Sequence, residues 1–154
     1  EVFVKPMPFN VIPQIDVFQD NGYTKEEMKM ILETNKILES DIAITATAVR
    51  VPVFIAHSEA VNIQTQKPIS VKEVKACLSA FPGVSVQDEP ETSTFPTPRD
   101  ISGQDDVYVG RIRKDISQDN SIDCWIVADN LRKGAALNAV QIAEELAKLP
   151  AHAN

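Results

Sequence analysis

The sequence predicts an α+β domain with a mixed or antiparallel sheet and helices on one face of that sheet. Segments that alternate like half-buried strands fill the middle of the chain, and amphipathic helical patterns separate them, in the approximate order β-α-β-β-α-β-β-β-α. A length of 154 residues and a hydrophobic content of 44% suit a single domain over residues 1–154. The sheet face without helices then needs cover, which a partner subunit can supply.

The chain opens with an extended segment followed by a well-capped helix. Residues 2–12 contain two prolines, which predicts an edge strand or an irregular entry, and residues 20–22 have the composition of a turn. Thr24 is a good N-cap and Glu27 follows three residues later, so the pair predicts a capping box for a helix that runs to about Glu39. The apolar face expected to pack on a core consists of Met28, Ile31, Leu32 and Leu38.

The middle of the chain predicts strands and a second capped helix. Residues 42–49 alternate like a strand and lead into a second, strongly apolar strand over residues 50–56, with residues 60–65 continuing extended. Ser70 caps the next helix, again with a glutamate, Glu73, at the third position. Its expected core face consists of Val74, Cys77, Leu78 and Phe81.

The last third predicts a short strand, a long loop, a hairpin and a final helix. Residues 84–86 are the short strand, and residues 89–103 form a polar, proline-containing loop that is long enough for an arm or an interface loop. Residues 106–113 and 122–128 are two strands around a polar turn, which predicts an antiparallel hairpin. The helix over residues 133–149 is apolar around much of its circumference, so we expect burial on more than one side.

Composition and charge exclude several classes of function. The net charge of −7, from 15 basic and 22 acidic residues, argues against a protein that binds the phosphate backbone of nucleic acids. Cys77 and Cys124 have no CxxC or histidine partner at metal spacing, so we expect two buried thiols, no metal site and a reducing, cytoplasmic setting. No apolar run is long enough to span a membrane. The sequence contains no GxGxxG motif, so we expect no Rossmann unit.

Arg50 and His57 stand at the two ends of the most apolar predicted strand. A guanidinium there is costly unless it meets an anion, and histidine is the side chain that ordinarily titrates near neutral pH. One interpretation is a substrate clamp and a base; the other is an arginine paired within its own chain and a hydrogen-bonded core histidine. Seven residues of regular strand put the two side chains on opposite faces. The functional interpretation therefore requires a bulge or bend, for instance near Pro52.

Glu26 and Lys29 lie three residues apart in the first predicted helix and therefore share a face. Glu27 is expected to be occupied by the cap, which leaves Glu26 free. The pair is either an exposed ion pair or a divided clamp, with the carboxylate for an ammonium group and the lysine for a phosphate or carboxylate.

Several motifs, taken together and in order, resemble those of aspartate-semialdehyde dehydrogenases. They extend from about Phe9 to Leu146, which is nearly the whole chain. The motifs are FNVIPQID at 9–16, EEMK at 26–29 with ETNKIL at 33–38, RVPV at 50–53, HSEAV at 57–61, VGRIR at 109–113 and DNLRKGAA at 129–136.

The resemblance implies the C-terminal domain of a two-domain, NADP-dependent enzyme with a fold like that of the C-terminal domain of glyceraldehyde-3-phosphate dehydrogenase. Such enzymes convert L-aspartyl-4-phosphate to L-aspartate 4-semialdehyde and phosphate, on the route to lysine, methionine and threonine, and are expected to form homodimers. The family's nucleophilic cysteine and its NADP-binding domain would lie upstream of residues 1–154. We therefore expect the chain alone to be inactive, and the alternative is a non-catalytic dimerisation or interaction module.

The resemblance also implies a role for each candidate site residue. His57 would be the acid and base, and Arg50 would hold the substrate carboxylate. Glu26 would meet the substrate amino group and Lys29 the phosphate. Asn130 would contact NADP, most of which the missing domain would bind.

Overall fold

The structure, a computed structural model, describes residues 3–149. The chain divides into two compact units, residues 1–53 and residues 54–154.

Helix α1 (Lys25–Ile37) is the main element of the first unit, and it begins where the sequence predicts. The hydroxyl of Thr24 accepts the Glu27 N–H at 3.3 Å, and the Glu27 carboxylate accepts the Thr24 N–H at 2.7 Å, so the capping box is confirmed. The expected apolar face is wrong for Leu32 and Leu38, which are 63% and 58% exposed. Within the unit, no second layer of helix or sheet packs on that face among the described residues.

The two strands expected over residues 42–49 and 50–56 do not form, and this prediction is wrong. Both segments are extended or bent, and only a two-residue antiparallel bridge joins Ile12 to Arg50. A strand needs a partner to satisfy its backbone groups, and Pro52 has no N–H to offer a ladder. Side chains satisfy part of this backbone instead, since the side-chain oxygen of Asn35 accepts the N–H of Ile42 at 2.7 Å.

The second unit is a mixed four-stranded sheet with helices, which confirms the predicted fold class. Its strand order is β1-β4-β3-β2, with β2 parallel to β3 and the other two pairs antiparallel, so the predicted β3–β4 hairpin is also confirmed. The strands are β1 (His57–Gln64), β2 (Val84–Val86), β3 (Val107–Lys114) and β4 (Ser121–Ala128), and the helices are α2 (Val71–Ala80), α3 (Pro98–Ile101) and α4 (Leu137–Lys148).

Helix α2 covers one face of this sheet and closes the larger core. Ser70 and Glu73 form its capping box, as predicted. Cys124 is buried as expected, whereas Cys77 is exposed, because it lies beside the stripe by which α2 contacts the sheet. The core consists of Val109, Ile112, Ile122 and Cys124, packed against the α2 residues Val71, Val74 and Leu78.

Within residues 54–149, the opposite face of the sheet is partly covered. Val127 and Ile101 form a small cluster there with Ala56, and the loop before α3 crosses the face where the Trp125 indole N–H donates to the Pro96 carbonyl at 3.0 Å. A groove of about 450 Å³ remains between the loop and the strands. Helix α4 carries no buried residue, so its expected burial is wrong. It continues from a single-turn π-helix (Arg132–Ala136), and the Lys133 ammonium donates to the side-chain oxygen of Gln141 at 2.6 Å.

Strand β3 contains a bulge next to the groove. The pairing of β3 with β4 shifts by one residue between Gly110 and Arg113, and Arg111 has a left-handed backbone with φ of 54°. The buried Asp88 carboxylate accepts the Arg111 N–H at 2.6 Å and forms an ion pair with Lys75 at 2.7 Å. An otherwise unpaired backbone N–H of the bulge is thereby satisfied by a side chain.

Candidate functional site

Arg50 is held through its backbone in the first unit. Its N–H donates to the Ile12 carbonyl at 2.9 Å, and its carbonyl accepts the Ile12 N–H at 3.0 Å. The guanidinium carbon lies 5.2 Å from the centroid of the Phe3 ring, a cation–π arrangement. Within residues 3–53, no carboxylate forms an ion pair with Arg50. The unit therefore does not neutralise this guanidinium itself, which favours the interpretation of a clamp for an anion.

Glu26 and Lys29 form the predicted pair on α1. The Lys29 ammonium lies 3.5 Å from a carboxylate oxygen of Glu26, and the two side chains are 52% and 34% exposed. An exposed pair of this kind contributes at most about 1 kcal/mol. A charged ligand can therefore separate the two groups at little cost.

Glu27 connects the start of α1 to the segment that leads to Arg50. Its second carboxylate oxygen accepts the Ala48 N–H at 2.8 Å, in addition to the capping contact with Thr24. The N–H of Thr24, followed by that of Ala48, lowers the pKa of the Glu27 carboxyl below its ordinary value. Sequence patterns predict the cap, but nothing in the sequence indicates the contact with Ala48, 21 residues away.

We expect Glu27→Gln to destabilise the protein most at neutral pH. The pKa in the folded state is lowered, so the stabilisation by the carboxylate is fully present above the ordinary glutamate pKa of about 4.3 and is lost as the pH falls through the lowered value. Urea unfolding of the wild type and the variant at several pH values measures this. The difference in the free energy of unfolding between the wild type and Glu27→Gln should narrow in acid. The control Glu33→Gln, on the exposed part of α1, should destabilise the protein far less at neutral pH. A difference that is independent of pH would contradict the assignment.

His57 is the first residue of β1, where it pairs with Ala128, and its side chain is exposed. The alternative of a buried core histidine is therefore wrong. Ala56 directly before it is buried and has a left-handed backbone with φ of 78°. Because residues 50–56 form no regular strand and Ala56 turns the backbone, the objection that a regular strand puts Arg50 and His57 on opposite faces does not apply.

Asn130 lies just after β4 and reaches back to the start of β1. Its side-chain oxygen accepts the Ala56 N–H at 2.9 Å. Neighbouring Asp129 is 3% exposed, and its carboxylate accepts the N–H groups of Gly103 at 2.8 Å and Leu131 at 2.9 Å. These contacts, the one from Gly103 above all, lower the pKa of Asp129. The turn that carries Asn130 is therefore rigidly held.

The structure brings the candidate residues together in two groups. Glu26 meets Lys29 in the first unit, and Asn130 reaches the residue before His57 in the second. Sequence reasoning did not find Ala56 or Asp129. An Asp-Asn pair after a strand is a turn signal that indicates Asp129, whereas an alanine gives no warning of a positive φ.

Residues 3–149 contain neither a metal-binding cluster nor a membrane-spanning helix. No group of three or more histidine, cysteine, aspartate or glutamate side chains is arranged to hold a metal ion. None of the helices in this range has the length and apolar character needed to cross a membrane.

Residues 1–133 match the family model for the semialdehyde dehydrogenase dimerisation domain. The chain belongs to this family. The motif resemblance drawn from the sequence is thereby confirmed.

Related proteins show which part of such an enzyme the chain represents. The aspartate-semialdehyde dehydrogenase of Legionella pneumophila is 53% identical over 148 residues, which are 95% of this chain and 43% of the relative. The structure of aspartate semialdehyde dehydrogenase II from Vibrio cholerae complexed with ASA is 51% identical, with a TM-score of 0.90, over 95% of this chain and 43% of that one. The Candida albicans enzyme with NADP is 28% identical, with a TM-score of 0.74, over 92% and 45%. The chain thus spans less than half of its relatives and corresponds to their C-terminal domain.

Cys124 of this dimerisation domain is not suited to act as a nucleophile. Cys124 is 6% exposed in the middle of β4, and burial raises the pKa of its thiol. The reactive thiolate is therefore disfavoured at neutral pH.

Proposed function

We propose that this chain is the substrate-binding and dimerisation half of an NADP-dependent aspartate-semialdehyde dehydrogenase. The enzyme would reduce L-aspartyl-4-phosphate to L-aspartate 4-semialdehyde and release phosphate, in the biosynthesis of lysine, methionine and threonine in the cytoplasm. The placement of His57 carries the proposal: an exposed imidazole at the start of a paired strand, on a backbone that Asn130 holds. The family membership and the 53% identity to the L. pneumophila relative support it.

His57 would act as the proton carrier of the reaction. It would take the proton of the nucleophilic thiol, which the other half supplies, so that the thiolate displaces phosphate and forms a thioester. After hydride addition to the thioester, the carbon–sulfur bond would break, the aldehyde would leave, and His57 would return the proton to the thiolate. NADPH would supply the hydride when bound mostly to that other half. Because β1 holds the backbone of His57 against β4, the imidazole would meet the reacting group from a fixed position.

The first unit would recognise the charged groups of the substrate. Arg50 offers a planar fork to the α-carboxylate, and no carboxylate of residues 3–53 competes for it. Glu26 would exchange its weak contact with Lys29 for the α-ammonium group, and Lys29 would then bind the phosphate.

Asn130 would contact the cofactor through its side-chain nitrogen. Its oxygen is engaged by the Ala56 N–H, whereas the nitrogen makes no hydrogen bond with any residue from 3 to 149. The residue therefore fits a cofactor contact in which the amide donates to an acceptor on NADP.

We expect the chain alone to be inactive and its fusion to a nucleotide-binding half to be active. The test is NADP⁺ reduction with aspartate semialdehyde and phosphate, for the chain alone, mixed with the N-terminal part of the L. pneumophila relative, and fused to it. Reduction by the chain alone would contradict the expected inactivity. A folded, dimeric fusion without activity would contradict the proposed function, provided that the relative's own enzyme is active under the same conditions.

A second role, dimerisation without catalysis, is favoured by the open sheet face. The family model describes a dimerisation domain, and the groove carries Trp125 and Ala60 on the sheet face that the loop before α3 crosses. We propose that a second copy of the chain packs on this face. This role is compatible with the first, and only an inactive fusion would leave it as the sole function.

Self-association through this face is expected to be sensitive to a charge placed in the groove. Ala60 lines the groove from β1, so Ala60→Glu would bury a carboxylate at the interface and should weaken the dimer at least tenfold. Sedimentation velocity over a range of concentrations measures this. Ala76→Glu on the exposed side of α2 is the matched control and should leave the dimer intact. A monomeric wild-type chain at high concentration would refute the prediction.

A further inference from the structure

Ala56 has a conformation that its side chain disfavours. Its φ of 78° lies in the left-handed region, where a Cβ atom meets the backbone, and alanine lacks the polar side chain by which asparagine or aspartate compensates locally. The residue is also 6% exposed and packs with Ile101 and Val127. A strained, buried residue persists only where its surroundings hold it in place.

A single side chain provides a specific contact that holds it. The Asn130 oxygen accepts the Ala56 N–H at 2.9 Å, across 74 residues of sequence. The backbone group is a donor, so it selects the oxygen of the amide and fixes the orientation of the Asn130 side chain. The next residue, His57, is paired with Ala128, two residues before Asn130 on the same strand end.

The acceptor is itself preorganised. Asp129 holds the turn from both sides, because its carboxylate accepts the N–H of Leu131 while its backbone carbonyl accepts the N–H of Lys133 at 3.0 Å. The same carboxylate binds the N–H of Gly103, which anchors the turn to the segment after α3. Asn130 therefore presents its oxygen from a rigid support.

We propose that Asn130 is a positioning residue for His57. The Asn130 side chain holds Ala56 in the left-handed conformation. This conformation sets the direction of the backbone at the start of β1 and therefore the position of the His57 imidazole. The inference rests on the role proposed above for His57, and it gives Asn130 a function separate from any contact with the cofactor. A displacement of a catalytic group by about 1 Å lowers rates by about 100-fold, so the effect on turnover should be large.

Three substitutions separate the roles of the two atoms of the amide. Asn130→Ala removes the acceptor, and Asn130→Asp keeps an acceptor oxygen but removes the nitrogen donor. Ala56→Gly removes the steric penalty of a positive φ, so it should partly compensate for the loss of the hydrogen bond. If Asn130 acts through Ala56, the double variant Asn130→Ala with Ala56→Gly will be less impaired than Asn130→Ala alone.

The first readout does not depend on activity. In the 154-residue chain labelled at histidine, the His57 imidazole resonances should shift or broaden in Asn130→Ala and stay near the wild type in Asn130→Asp; His152→Gln assigns the second histidine. The exchange rate of the His57 backbone amide should rise at least tenfold in Asn130→Ala. Unchanged resonances in Asn130→Ala, or equal changes in Asn130→Asp, would overturn the proposal.

The second readout is kinetic and uses the fusion enzyme. Asn130→Ala should lower kcat about 10- to 100-fold with little change in KM for aspartate semialdehyde, and Ala56→Gly should restore part of kcat. Asn130→Asp should mainly raise KM for NADP. If Asn130→Ala does not fold, restoration of folding by Ala56→Gly supports the proposal, and failure to restore it refutes it. An inactive fusion whose His57 resonances respond as expected would refute the proposed function and leave the positioning contact intact.

Discussion

His57→Ala in the fusion enzyme is expected to lower kcat by about 10²- to 10⁴-fold, the usual contribution of general acid–base catalysis. The imidazole is exposed at the start of β1, so the substitution removes a proton carrier without opening a cavity. Surface substitutions of this kind change the free energy of unfolding by no more than about 0.5 kcal/mol. Loss of activity should therefore occur in a folded, dimeric protein.

NADP⁺ reduction at saturating aspartate semialdehyde measures the effect, with added imidazole as a test of chemical rescue. Gln64→Ala at the other end of β1 is the matched control, because Gln64 is also exposed and lies in the same strand. It should retain nearly full activity. A His57→Ala enzyme with more than a tenth of the wild-type kcat would exclude His57 as the acid and base.

Gly110→Ala is expected to destabilise the chain by about 3 kcal/mol or to prevent folding, at the upper end of the range for overpacking. A Cβ atom on Gly110 would lie 2.3 Å from the Gln87 carbonyl oxygen and 2.7 Å from Cδ of Pro96. The Gln87 backbone cannot withdraw freely, because its N–H donates to the Val109 carbonyl at 2.9 Å. Pro96 is held as well, since its carbonyl accepts the Trp125 indole N–H.

Urea unfolding of the chain measures this loss. Gly134→Ala is the control, because the nearest atom to its added methyl group is Cβ of Asn130 at an ordinary 3.7 Å. Alanine is the better helix former, so this control should be neutral or stabilising by up to about 1 kcal/mol. Surface substitutions change the free energy of unfolding by about 0.5 kcal/mol or less. If Gly110→Ala has an effect no larger than this, the backbone of the bulge can shift to accommodate the methyl group, and the prediction is wrong.

The features predicted well from the sequence are those that depend on neighbouring residues. The capping boxes of Thr24 with Glu27 and of Ser70 with Glu73 need only a spacing of three residues, and both form. The β3–β4 hairpin follows from alternation around a polar turn, and it forms as well. The assignment of Glu26, Lys29, Arg50, His57 and Asn130 to the site came from motifs in order, and their roles remain predictions.

The features predicted wrongly depend on a partner surface. Residues 42–56 have the composition of strands, but among residues 3–149 no strand pairs with them beyond the bridge at Arg50. Helix α4 and the Leu32 side of α1 are apolar, yet both remain exposed in the described structure. An amphipathic pattern indicates that one face of a helix can be buried, but it does not specify which surface packs against that face.

The sequence by itself determined the class of the fold and the family, and it named the candidate site residues, because all three follow from local pattern and ordered motifs. Only the tertiary structure decided that Arg50 has no carboxylate partner within residues 3–53, that Glu27 binds Ala48, and that Asn130 holds the kink before His57. The physical reason is sequence distance. Hydrogen bonds between residues 21 or 74 positions apart leave no periodic trace in the chain, and they form only once the fold has brought donor and acceptor together.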